Sequence, residues 1–144
     1  MFKQLLSVLL VSLITIGTSF ASTTELEQQA EQGDRLAAYQ LASHYDNQTT
    51  DTDNNQKLAV KWYQKSAEAG FETAQMMLAF KYALGNGTEK SMQTAYTWFA
   101  VVAEAGNETA VAYREKAKLE LTAEQIAEAQ KLAQEWIKKL ATQK

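Results

Sequence analysis

Apolar and small residues return at intervals of three and four along most of the chain, the spacing of one buried helical face. Ala37, Leu41 and Tyr45 form one such stripe, and Ala74, Leu78 and Tyr82 form a second. Between them Ala59, Trp62, Tyr63 and Ala67 mark another helix, matched later by Ala95, Trp98, Phe99 and Ala103. A longer stripe of Ile126, Ala129, Leu132, Ala133, Trp136, Ile137 and Leu140 predicts a last helix running to about Ala141. Its opposite side carries Glu124, Glu128, Lys131, Glu135, Lys138 and Lys139, acidic early and basic late, as the helix dipole favours.

The stripes keep step with one another. Ala30-Glu31-Gln32-Gly33, Ala67-Glu68-Ala69-Gly70 and Ala103-Glu104-Ala105-Gly106 follow at spacings of 37 and 36 residues. A period of this length, mixing small and aromatic anchors, predicts stacked helical pairs. Each tetrad ends in glycine where a left-handed C-terminal cap belongs, and Asp34 is placed to cap the helix that follows. The polar stretch from Asp46 to Asn55 predicts the turn inside the first pair, and Gly85-Asn86-Gly87-Thr88 the turn inside the second. Ser22-Thr23-Thr24-Glu25 and Thr122-Ala123-Glu124-Gln125 have the spacing of capping boxes, opening the first and last helices.

The opening segment follows a different pattern. Lys3 precedes an apolar run from Leu5 to Ile16, broken only by Ser and Thr, and Ser19-Phe20-Ala21 supplies small residues for cleavage before Ser22. Met1 to Ala21 is therefore expected to be a secretory signal peptide, and the product to be periplasmic or secreted. The run is short against the roughly 20 residues that span a bilayer, so no stable membrane insertion is expected after cleavage. Of 144 residues none is Cys and one is His. That excludes a disulfide framework, a thiol nucleophile and thiolate zinc sites, and it leaves little for a histidine metal centre. The formal charge is −3; without Lys3 it becomes −4, with 13 Lys+Arg against 17 Asp+Glu. A basic nucleic-acid footprint is missing.

The residues Lys57-x-Ala59-x-x-Trp62-Tyr63-x-Lys65-x-Ala67-Glu68-x-Gly70-x-x-x-Ala74-Gln75-x-x-Leu78-Ala79-x-x-Tyr82-x-x-Gly85-x-Gly87-Thr88 resemble the Sel1-like repeat, a relative of the tetratricopeptide repeat. The resemblance covers residues 30 to 136. The first repeat lacks the paired loop glycines, and the third departs from the pattern beyond Ala110. It implies an all-α fold, a short right-handed α-solenoid of antiparallel helix pairs. The expected units are a half unit over 22–33, repeats over 34–70 and 71–106, and a degenerate repeat with a capping helix over 107–144. It also implies an adaptor that binds a protein or peptide on the concave face. A subgroup associated with β-lactam binding has repeats stapled by paired cysteines, which this chain lacks.

Other chemistry is weaker. His44 has no neighbouring nucleophile or orienting partner in sequence, so neither a catalytic nor a metal role is expected. Asp46, Asp51 and Asp53 suggest calcium, but the sixth and twelfth positions counted from Asp51 are Gln56 and Trp62, not Gly and Glu. Gly85 to Lys90 lacks the strand and spacing of a phosphate loop, and no Ser-x-x-Lys occurs. Asn47, Asn86 and Asn107 begin glycosylation sequons that the bacterial-type resemblance makes coincidental. The aromatics Trp62, Tyr63, Tyr82, Trp98, Phe99 and Trp136 fall in helical register and are expected in the core.

Positions two before and two after Leu41 lie roughly 160° from it around the helix. These are Tyr39 and Ser43, and around Leu78 they are Met76 and Phe80. Such residues either line a peptide groove or pack against the next repeat. The expected site takes Tyr39, Met76 and Phe80 as apolar anchors, with Ser43 and Lys81 as polar contacts, and needs no cofactor. The expected partner is an envelope protein or peptide. Two competing functions are a peptidoglycan- or β-lactam-directed enzyme or binding protein, and a structural subunit that self-associates.

Overall fold

A computed structural model describes residues 22–143; the expected signal peptide, Met1–Ala21, lies outside them. Seven helices and no strand occur among the described residues: α1 (Thr23–Glu31), α2 (Arg35–Asp46), α3 (Thr52–Glu68), α4 (Glu72–Leu84), α5 (Met92–Glu104), α6 (Glu108–Lys118) and α7 (Ala123–Ala141). From α1 to α6 each helix packs on the one before it, and the chain is an all-α solenoid.

The three Ala-Glu-x-Gly tetrads fall at matching corners, α1–α2, α3–α4 and α5–α6. Gly33, Gly70 and Gly106 have φ of +93°, +82° and +91°, a left-handed backbone that glycine adopts without a Cβ penalty. Their amides donate to Ala30, Ala67 and Ala103 carbonyls at 3.1, 3.0 and 3.0 Å, satisfying helix-end acceptors. The next helix then starts on a cap. Asp34 accepts from the amides of Leu36 and Ala37 at 2.8 and 3.0 Å, and Asn107 from that of Ala110 at 3.0 Å. Phe71 holds the same position before α4 and caps nothing. Its ring packs on Tyr39 instead, with centroids 5.0 Å apart. Both capping boxes form, Ser22 with Glu25 and Thr122 with Gln125.

The small and aromatic stripes make the core. Ala37, Leu41, Ala59, Trp62, Tyr63 and Ala67 bury together, and Ala74, Leu78, Ala95, Trp98 and Phe99 continue the layer. Tyr82 and Trp136 stay half-buried at its margin. The turn inside the first pair is shorter than the polar stretch from Asp46 to Asn55. Helix α3 starts at Thr52, where Asp53 in the first turn favours the positive helix end.

Helix α7 departs from the chain of neighbours, for it lies on α5 rather than on α6. Trp136 meets Trp98 at 5.0 Å between centroids, Gln130 Nε2 donates to the Tyr96 hydroxyl at 3.2 Å, and Gln93 Nε2 to Glu128 at 2.9 Å. The buried strip of α7 is therefore narrow and centred on Ala129 and Ala133. Leu132, expected on that face, sits at its edge and is 46% exposed. The last turns of α7 pass beside all three corners, with Ile137 and Leu140 bordering a cleft shared by Arg35, Gly70 and Glu104.

Candidate functional site

Successive first helices of the pairs, α2, α4 and α6, present equivalent residues at a constant interval. Tyr39, Met76 and Tyr113 stand 37 residues apart. At about 100° per residue, Leu36, Tyr39 and Ser43 share an arc of α2. Met76, Phe80 and Leu84 share the matching arc of α4, and Tyr113 and Ala117 that of α6.

The expected anchors are packed between repeats on this face. Tyr39 is half-buried against Tyr63 and Phe71, and Met76 against Val102, Ala103 and Ala110. Phe80 stands edge-on to Phe99 and to Tyr113, with centroids 5.3 and 4.7 Å away, while Phe99 and Tyr113 stack on each other. Their apolar surface is thus largely covered by the neighbouring pair, and what remains is one edge of each ring or chain. Ser43 is half-buried, and its carbonyl and hydroxyl accept from Asn47 Nδ2 at 2.7 and 3.4 Å.

Lys81 must be removed from the contact set. It lies three residues after Leu78 and so on the buried side of α4, only 5% exposed. Its ammonium pairs with the Asp46 carboxylate and donates to Gln56 Oε1 at 2.6 Å. Tyr63 donates to the other Asp46 oxygen at 3.2 Å, and Gln56 Nε2 to the Asp46 carbonyl at 3.1 Å. Burial, reinforced by the facing Asp46 charge, pushes the Tyr63 phenol well above the ordinary tyrosine range. Asp46, considered above for calcium, is committed to this hub, which ties α2, α3 and α4 together. The Gly85–Gly87 turn closes over it, with Gly87 pressed onto the Gln56 backbone. His44 is exposed, beside Tyr45 and Gln48. Among the described residues no three acidic, His or Cys side chains gather to hold a metal.

The face also holds a feature that the spacing of single helices did not reveal. A pocket of about 250 Å³ opens between α4, α5 and α6. Phe80, Phe99 and Tyr113 form its floor, Leu84 and Met92 its walls, and Lys90, Lys116 and Glu120 its rim. Leu84 and Tyr113 are 74% and 38% exposed. The available signal was the 37-residue register from Met76 to Tyr113 and the i+4 step from Phe80 to Leu84.

Comparison with known proteins agrees with this architecture. A model described as Sel1 repeat matches residues 35–71 and 73–107. A solved structure of c5321, a protective antigen present in uropathogenic Escherichia coli strains and displaying an SLR fold, is 26% identical with a TM-score of 0.72. The match covers 83% of this chain and 26% of that one, so the chain spans about a quarter of that antigen. A Sel1 repeat protein from Oxalobacter formigenes is 24% identical over 75% of this chain and 96% of its own, with a TM-score of 0.49. No curated protein matches. With two repeats matched over half of its length and the repeat corners in register, the chain belongs to the Sel1-repeat family.

Proposed function

We propose that this protein is an exported scaffold that binds a protein or peptide along the face formed by α2, α4 and α6. Sel1-repeat proteins generally act as protein-binding scaffolds and are typically non-enzymatic. The observation that carries the reading for this chain is exposed apolar surface on successive helices of that face: Leu36 on α2 is 50% exposed, Leu84 on α4 74% and Tyr113 on α6 38%. Large apolar groups in water at successive helices are worth keeping where a partner covers them. Export is supported by the Met1–Ala21 leader pattern, with its single cation, short apolar run and small residues before Ser22.

Tyr39, Met76 and Phe80 are unsuitable for testing the face, because truncating them would open the seams between repeats. Leu36→Glu with Leu84→Glu changes exposed positions and should leave the helical spectrum intact. Immobilised native protein and this double variant are compared against envelope extracts of the source cells. The native protein retains partners that the variant loses; a folded variant that keeps all of them overturns the face assignment. In the same preparation, a mass beginning at Ser22 is the expected sign of export, and an intact Met1 argues against it.

A further inference from the structure

The pocket between α4, α5 and α6 differs from the rest of the face in both shape and charge. Its floor is three mutually packed rings, and Ala83 and Ala117 leave open the space that larger side chains would fill. Its volume of about 250 Å³ has room for one large side chain rather than a small molecule with many groups. At the rim, Lys90 and Glu120 lie 3.5 Å apart and offset each other's charge. Elsewhere on α6, Arg114 and Lys118 both reach Glu115. Lys116 has no carboxylate within ion-pair distance among the described residues. An unmatched cation thus borders an apolar pocket on a protein whose net charge is negative.

We propose that this pocket is a specificity subsite: it takes one bulky apolar side chain of a bound peptide, with a carboxylate beside that side chain held at Lys116. The inference rests on the scaffold reading of the face and adds the chemistry of what is recognised there. Apolar burial supplies most of the affinity, and the rim charge selects among apolar sequences. A basic neighbour is rejected because it would face Lys116 across the lip of the pocket.

The test uses fluorescein-labelled peptides Ser-Gly-Phe-Glu-Gly-Ser, its Phe-to-Ala sibling and its Glu-to-Lys sibling, titrated by anisotropy into the purified protein. The Phe–Glu probe should bind best, the Ala sibling about thirtyfold more weakly and the Lys sibling a few-fold more weakly. Leu84→Glu should abolish the preference for Phe, and Lys116→Glu should invert the preference between Glu and Lys. Absence of binding by the Phe–Glu probe, or binding unchanged by both variants, overturns the subsite. So does sedimentation showing that the pocket is covered by a second copy, with a dimer that Leu84→Glu dissociates. Partners lost by Leu36→Glu but retained by Leu84→Glu would remove the subsite and leave the scaffold standing. Partners retained by both would remove the scaffold reading itself.

Discussion

Gly87 and Gly33 both adopt positive φ, +76° and +93°, yet their surroundings differ completely. A Cβ on Gly87 would lie 2.2 Å from the Gln56 carbonyl oxygen and 2.4 Å from its carbon, both backbone atoms. A Cβ on Gly33 would meet nothing within 4 Å. Gly33→Ala therefore carries backbone strain alone, about 1 kcal/mol, while Gly87→Ala adds the displacement of a packed loop and costs about 3 kcal/mol. Urea midpoints of the two variants should separate accordingly; equal midpoints would refute the close approach. Tyr63 makes a second expectation. Its phenol is raised above the ordinary value of 10.0, so the folded state holds the proton more tightly than the unfolded chain. Stability from this group is complete below pH 10.0 and falls as pH rises beyond it. Urea titrations on both sides of that pH should show a steeper alkaline loss for the native protein than for Tyr63→Phe. Lys81 shows where residue-level reading stops. A lysine beside Phe80 reads as a surface group, and the Asp46 that accounts for its burial lies 35 residues away. Removing one member of such a pair leaves the other charge buried without its counter-charge, with only the neutral Gln56 or Tyr63 beside it, which is why the pair behaves as a unit.

At the level of elements, most of the architecture was legible because most helices announce their own ends; α3 does not at its start, where Asp51 makes no cap. Capping boxes, corner glycines and stripes of Ala, Leu and aromatic residues are local signals, and the tertiary structure uses them as written. Phe71 is another exception, since ring packing on Tyr39 replaces the cap that Asp34 and Asn107 provide elsewhere. Helix α7 was legible as a helix but not in its docking, because an amphipathic stripe states that a face is buried without stating against what. Its register on α5 depends on Trp136, half-buried against Trp98. Trp136→Ala should cost about 2 kcal/mol, less than a fully buried tryptophan, and should loosen α7 before the rest. Hydrogen exchange resolved by segment checks this: faster exchange in 126–141 with α2 and α3 unchanged is expected, and uniform acceleration would contradict it.

Over the whole molecule, the candidate face emerged from the repeat and the pocket did not. Tyr39, Met76 and Tyr113 recur at one interval, so a face is visible in the sequence. The pocket arises where α4, α5 and α6 meet, from residues whose proximity no single helical pattern encodes. Helix α7 adds an asymmetry of its own. Its last turns run past Arg35, Gly70 and Glu104 and so border the three corners at one edge of the stack. The opposite margin holds the turns near Gly85 and the mouth formed by Leu84, Lys90 and Lys116, so a partner entering that mouth would meet the array at the end of the helices away from α7's last turns.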